Sequence, residues 1–186
     1  MSRPESLNQE PNQRENFVLQ PHLVGDLLEL RPLKSEDWES LFAVASDPLI
    51  WEQHPAPDRY QEEVFQEFFR EALESRGAFA VVDRKTQKVI GSSRYFGFEP
   101  RRREVEIGWT FLARSYWGGM YNLELKQLML DHAFKFVERV VFLVGATNFR
   151  SQKAMEKIGG VMTERREKMD LQGRTVENIV YLIKKP

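Results

Sequence analysis

Val140-Val141-Phe142-Leu143-Val144 is an unbroken apolar run with β-branched residues. It is far too short to cross a membrane. Its composition is that of a strand buried on both faces. A chain with such a strand needs covering layers on both sides of its sheet. The rest of the sequence supplies them. Ala78 to Val82, Val89 to Phe98 and Glu104 to Leu112 read as three strands. Their polar links, Asp83 to Gln87 and Glu99 to Arg103, are short, which predicts an antiparallel meander. Val24 to Leu33 reads as one strand ahead of them. Val161 to Met169 and Thr175 to Ile183 read as a hairpin around Leu171-Gln172-Gly173-Arg174.

Helical spacing fills the gaps between the strands. Ser35 followed by Glu36 and Asp37 predicts an N-cap with acids in the first turn, and a helix to about Ala45 that Asp47-Pro48 breaks. From Tyr60, Val64, Phe65, Phe68, Phe69 and Ala72 fall at helical spacing, and Gly77 ends the run. A third helix runs from about Asn122 to Val137. Leu125, Leu128, Met129, Ala133 and Phe136 face inward, with Glu124, Gln127 and Asp131 on the wet face. A fourth, Asn148 to Ile158, is closed by Gly159-Gly160. The order is β α α β β β α β α β β. The predicted class is α/β in the α+β sense: a mixed, mostly antiparallel sheet with helices on both faces, not a doubly wound parallel one.

Without cysteine, disulfide and thiolate chemistry are excluded. Residues 1–20, polar and carrying two prolines, are expected to form a disordered tail before one domain at 21–186. No signal peptide is recognisable and nothing directs export, so the cytoplasm is the expected compartment. The net charge of -1 hides an asymmetry. Residues 1–100 hold 11 Lys and Arg against 18 Asp and Glu, whereas residues 101–186 hold 16 against 10. A basic second half suits an anionic ligand, although scattered surface charge gives the same count.

One loop narrows the choice of ligand. Trp117-Gly118-Gly119-Met120-Tyr121-Asn122 lies between a strand and an amphipathic helix. Two adjacent glycines permit close backbone approach, and a helix start offers unpaired N–H groups at a positive dipole end. Together they suit a phosphate, with Asn122 as the N-cap. A tight strand-to-helix turn would look the same. Neither G-x-x-x-x-G-K-[ST] nor G-x-G-x-x-G is present.

A second segment adds to the first. Asn148-Phe149-Arg150-Ser151 is followed by Ala154-Met155-Glu156-Lys157-Ile158-Gly159-Gly160-Val161. Taken with Tyr116-Trp117-Gly118 and His132-Ala133-Phe134, it resembles the GNAT acetyltransferase superfamily, and within it the RimJ/RimL-type branch of ribosomal-protein N-terminal acetyltransferases. The resemblance implies acetyl-CoA as cosubstrate, in a V-shaped split between two parallel strands, here Glu104 to Leu112 and Val140 to Ala146. It implies that backbone at Trp109, Thr110, Phe111 and Leu112 pairs with the pantetheine. It places the pyrophosphate on N–H groups around Trp117, Gly118, Gly119, Met120, Tyr121 and Asn122, with Asn148 and Lys153 as further cofactor contacts. An amine then attacks the thioester directly. The chain departs from the family pattern at Met120 and Asn122, where small residues are usual, and Met120 narrows the dihedrals the loop can adopt.

The chemistry needs a base for the amine and a proton for the departing thiolate. Glu106 is the candidate base, on a face shared with Glu104 and Gly108. A solvated strand acid paired with Arg102 or Arg94 is the bland alternative. Ser151 is the candidate acid, with helix capping as its alternative. His54, in the proline loop, is a weaker candidate for the acceptor site. His132 reads as a packed or surface ring, and no histidine shows metal spacing, so no metal is expected.

The partners expected are acetyl-CoA and an amine acceptor, either a small molecule or a protein N-terminus. A homodimer is left open. The rival readings are a GNAT-fold protein that binds acetyl-CoA with little or no transfer, and a nucleic-acid module. The second has Arg101-Arg102-Arg103 and Arg165-Arg166 in its favour, and a pI near 6.4 with no binding motif against it. Neither nucleic acid nor membrane is therefore an expected partner.

Overall fold

The structure, a computed structural model, describes residues 17–171 and 173–186. Eight strands form one sheet in the order β1-β2-β3-β4-β5-β6-β8-β7. They are β1 (Leu23–Val24), β2 (Leu28–Pro32), β3 (Ala78–Asp83), β4 (Val89–Glu99), β5 (Glu104–Leu112), β6 (Arg139–Gly145), β7 (Val161–Leu171) and β8 (Arg174–Lys184). The helices are α1 (Trp38–Ala45), α2 (Pro48–Trp51), α3 (Glu62–Glu74), α4 (Tyr121–Ala133) and α5 (Phe149–Lys157). Every neighbouring pair of strands is antiparallel except β5 and β6. The mixed, mostly antiparallel sheet read from the sequence is present.

Two apolar cores lie against the sheet, and strand alternation separates them. In β3, Phe79 and Val81 join the core that includes Leu125, Met129 and Ala133 of α4 and Met155 of α5. Ala78 and Ala80 join the other, built on Phe65, Phe68 and Phe69 of α3 with Leu41 and Trp51. All six β3 residues are buried, as a strand covered on both faces must be. No helix among the described residues is long and apolar enough to cross a membrane.

Several local expectations need correction. The single strand read at Val24 to Leu33 is a hairpin, turned at Gly25 by a hydrogen bond from its N–H to Leu28 O (2.9 Å). Ser35 caps nothing. Ser35–Asp37 is a 3-10 turn, and Asp37 is buried in a paired contact with Arg31 (2.6 and 2.8 Å). Asp47-Pro48 ends α1 but also starts α2, where Asp47 accepts from Leu49 N and the proline takes the first turn. Gly77 lies past the end of α3, pressed against Tyr95 O so that any Cβ would collide.

Of the expected disordered tail, residues 1–16 lie outside the described residues, while Phe17 to Gln20 pack on the domain. Phe17 meets Tyr95, Phe98 and Phe136 at ring distances of 5.1, 5.2 and 5.1 Å. His132 bonds Val18 O at 2.8 Å. Gln172, in the predicted hairpin turn, also lies outside the described residues.

Glu124 is the correction with the clearest energetic consequence. The sequence puts it on the wet face of its helix. It instead reaches the β1–β2 turn, where its carboxylate accepts from the N–H groups of Asp26 (2.7 Å), Leu27 (2.9 Å) and Leu28 (2.9 Å). Charge-assisted bonds of this kind are strong, and three donors of the turn converge on this one carboxylate. Glu124→Ala should lower unfolding free energy by about 2–4 kcal/mol, measured in urea. A loss below about 0.5 kcal/mol would mean that water replaces the carboxylate.

Candidate active site

Parallel pairing between β5 and β6 stops at Glu106↔Val141. Beyond it β6 keeps its partner β8 up to Gly145, while β5 turns away. The cause is local. Between Ser92 and Arg94 of β4 the register with β5 shifts, and Trp109 adopts φ +51. A bulge with a non-glycine residue in the left-handed region bends its strand and is a known device at functional sites. From Ile107 onward β5 has no partner on its β6 side, so the two strands splay. Nothing in the sequence marks Trp109 for this, since tryptophan has no preference for positive φ.

A cleft of about 940 Å³ opens on one side of the split. Its walls include Thr110, Phe111 and Leu112 from β5, with Trp117, Gly118, Gly119 and Met120 from the loop before α4. Asn122, Asn148, Ser151 and Lys153 complete the predicted set there. A smaller cavity of about 190 Å³ adjoins it and is lined by Glu106 and Trp109, with His54, Arg59 and Lys126. Thr110, Asn122, Asn148 and Ser151 line both. Thirteen of the fourteen predicted site residues are thus brought together. Tyr121 is the exception: it lines neither cavity, and its hydroxyl donates to Asp83 at 3.3 Å.

The loop supplies its special conformation at one residue. Gly118 has φ +74, and added Cβ atoms at Gly118 and Gly119 would meet only open space. Met120 has an ordinary φ of -78, so the expected narrowing does not arise. Met120, not Asn122, is the N-cap residue, and it caps without a side-chain bond. Asn122 sits inside the first turn and lines the cleft. One backbone acceptor is already used, because Trp117 Nε1 donates to Leu112 O at 2.8 Å. Asn148 is the N-cap of α5, accepting from Ser151 N at 3.1 Å. Arg150 stacks on Trp117 at 4.1 Å and donates to Ile50 O at 2.7 Å, tying the loop, α5 and α2 together.

Glu106 stands at the apex of the split. Burial, reinforced by Glu167 and opposed by Arg94 and Arg165, pushes its carboxyl up to about 7. Glu104, on the same face, is engaged by Arg139 (3.5 Å) and Arg165 (3.4 Å). His54 lines both cavities, but burial, with the Arg59 charge beside it, pushes its ring down to about 3. A base works best with a pKa near the working pH, which favours Glu106 over His54. His132 is buried against Phe17 and Phe136, away from both cavities.

Sequence reasoning does not single out Lys126. Its side chain is buried, lines the smaller cavity, and donates to Thr110 Oγ1 at 2.5 Å. Thr110 Oγ1 lies 2.7 Å from Ser93 Oγ. Phe142 faces the ammonium at 5.4 Å, and no carboxylate pairs with it among the described residues. Burial pushes Lys126 down to about 7. Its place four residues after Asn122 puts both on one helix face, the one sequence signal that could have found it. Among the described residues, no group of three or more His, Asp or Glu could hold a metal ion.

A family model described as an acetyltransferase (GNAT) domain matches residues 28–161. A candidate acetyltransferase from T. thermophilus is 29% identical, covering 88% of each chain with a TM-score of 0.71. A GCN5-related N-acetyltransferase from Brucella melitensis is 20% identical over 89% of this chain and 79% of its own, with a TM-score of 0.77. The microcin C7 self-immunity acetyltransferase MccE, solved with acetyl-CoA and AMP, is 12% identical over 91% of this chain and all of its own, with a TM-score of 0.72. No curated protein matches the chain. The matched region holds the meander, the split, the Gly118-Gly119 loop and both helices that border the cleft, and the chain belongs to the GNAT acetyltransferase family.

Proposed function

We propose that this protein transfers the acetyl group of acetyl-CoA to a primary amine, a protein N-terminus or a small molecule, as an enzyme of the RimJ/RimL type. The observation that carries the reading is the β5–β6 split, with Glu106 at its apex and the open Gly118-Gly119 turn at the start of α4. Members of this family use acetyl-CoA, which supplies an activated acetyl thioester when bound. The residues present fit it. The turn leaves room for a phosphate against a helix N-terminus, and β5 offers an unpaired edge from Ile107. Trp109, Thr110 and Phe111 would hold the pantetheine, Gly118 to Asn122 the pyrophosphate, and Asn148 and Lys153 the flanks.

In the transfer, the acceptor nitrogen bonds to the acetyl carbon as the carbon–sulfur bond breaks. Glu106 takes the proton that nitrogen loses, directly or through water. Ser151 Oγ or Lys126 Nζ returns one to sulfur, since both line the smaller cavity beside Glu106. Glu106 lines the cavity at the split with its carboxyl raised by burial, which supports active transfer over mere binding, since shifted acids cluster at catalytic sites.

The test is thermal and kinetic. Acetyl-CoA and CoA at ten to a hundred times their Kd should stabilise the fold by about 1.4–2.7 kcal/mol, and amines should release free thiol. Gly119→Val should leave melting without ligand unchanged, because its Cβ meets only space, and should weaken CoA binding roughly tenfold or more by filling the turn. Equal CoA affinity in Gly119→Val and the parent would make the turn a mere connector.

A further inference from the structure

Two arginines beside Glu106, Arg94 buried and Arg59 half-buried, have no carboxylate partner among the described residues. Arg94, on β4, is 3% exposed, and its Nε and Nη2 find no hydrogen-bond partner among the described residues. Its Cζ lies 4.6 Å from the Trp109 ring centre and 5.6 Å from that of Phe68. Arg59, between α2 and α3, stacks on the same Phe68 at 4.7 Å and on Trp51 at 5.2 Å. Its Nη1 meets His54 Nε2 at 3.2 Å, and its side chain lines the cavity that Glu106 lines. Neither arginine makes an ion pair among the described residues, where nine pairs are formed by other cations.

Two cations sharing one phenylalanine repel each other, and aromatic faces offset only about 0.5–2 kcal/mol of that cost. Buried donors left unmade cost about 1–3 kcal/mol each. Such a pair is stable and useful when an anion completes it. Glu71 and Glu106 act on Arg94 only through space. Glu106 is a poor permanent counter-ion, because burial keeps much of it protonated near neutral pH. Glu71 and Asp58 act on Arg59 likewise only through space, so among the described residues no anion completes the pair and one entering the cavity would. The guanidinium fork matches a carboxylate in two parallel hydrogen bonds.

We infer that the amine acceptor carries a carboxylate, which Arg59 takes in the cavity beside Glu106 while Arg94, behind the Trp109 ring, supplies the second positive charge. This rests on the acetyl transfer proposed above and narrows its substrate to an amino acid or a peptide with an acidic first residue. Glu106 would then face the amine of a molecule whose anionic end is already fixed. Orientation of this kind is a large part of what a site for direct attack must provide.

The experiment uses the full chain, acetyl-CoA and thiol release at pH 7.5, with matched acceptors. One arm pairs each α-amino acid with its carboxamide. The other pairs peptides beginning with Asp or Glu with those beginning with Asn or Gln. The carboxamides have the less basic amines, so free reactivity alone favours them. At least one arm should show kcat/KM higher for the acid by roughly tenfold or more, and the responding arm identifies the source. Arg59→Gln should raise KM for the acid and bring the acid-to-amide ratio toward one, and Arg94→Met should weaken the preference. If Arg94→Met does not fold, the acid-to-amide ratio of the parent and of Arg59→Gln still decides. Equal use of acid and amide overturns the inference, as does a preference that survives Arg59→Gln. So does an absence of turnover with every pair while acetyl-CoA still raises the melting temperature. If acetyl-CoA gives neither a shift nor thiol release, the transferase reading falls and takes the inference with it.

Discussion

Glu106→Gln is expected to lower turnover roughly ten- to a thousand-fold while leaving CoA affinity nearly unchanged. The substitution keeps the shape and removes the proton acceptor. The pH profile carries the sharper test. With its carboxyl near 7, Glu106 is protonated and idle below that value and competent above it, so kcat/KM of the parent should rise as pH approaches about 7. The variant should lose this limb. Unfolding cannot imitate the result, and the sign shows why. A carboxyl raised from 4.5 to about 7 binds its proton more tightly in the folded state, so its ionisation destabilises the fold as pH climbs through that window. The glutamine variant, which has no charge to bury, should be more stable at pH 8, on the order of 3 kcal/mol. A variant with parental turnover and an unchanged acid limb would leave Glu106 a structural residue.

Lys126→Met should stabilise the protein and slow it. Burial lowers the ammonium from 10.5 to about 7. Below pH 7 the folded state carries a buried charge, at a cost on the order of 4 kcal/mol, that the unfolded chain leaves in water. Between about pH 7 and 10.5 the folded lysine is neutral while the unfolded one still holds its proton. Parental stability should therefore rise with pH across that interval. The advantage of the methionine variant, read from urea midpoints, should be largest below pH 7 and shrink toward pH 10. As donor to sulfur, Lys126 must be protonated, so its loss should cost roughly ten- to a hundred-fold in turnover and remove the fall in rate above pH 7. The parent would then show a single maximum near pH 7, set by Glu106 and Lys126 together. A variant that gains stability and keeps its alkaline limb leaves protonation of sulfur to Ser151 or water. No gain below pH 7 would mean that the cleft solvates the lysine.

Much of the fold was legible because burial and periodicity are linked so directly. Five apolar residues at Val140 to Val144 predict a strand covered on both faces; Val140, Phe142 and Val144 join one core, whereas Val141 and Leu143 join neither and Leu143 is only half-buried. Phe65, Phe68, Phe69 and Ala72 at helical spacing form one face of one core. Short polar links produce the meander from β3 to β5. The cleft walls were legible for a different reason. Gly118-Gly119 before a helix and Asn148 at the cap of the next are backbone requirements, and local sequence shows those directly.

The errors lie where a side chain answers a distant partner. Glu124 reads as solvated on its own helix, yet three N–H groups about a hundred residues earlier claim it. Asp37 reads as a first-turn acid, yet Arg31 holds it inside. Lys126 and Arg59 carry no mark in the sequence, and Arg94 enters it only as a possible surface partner of Glu106, because only the packing of α3, α4 and the split strands takes these cations from water. Residue order alone specifies the layers, the succession of elements and the loop that frames the cleft, since these follow from local spacing and backbone freedom. How the sheet opens, what burial does to the carboxylate at the opening and which cations lose their solvent emerge only on folding. Those properties depend on a bulge at Trp109 and on burial, and burial belongs to the assembled fold rather than to any stretch of chain.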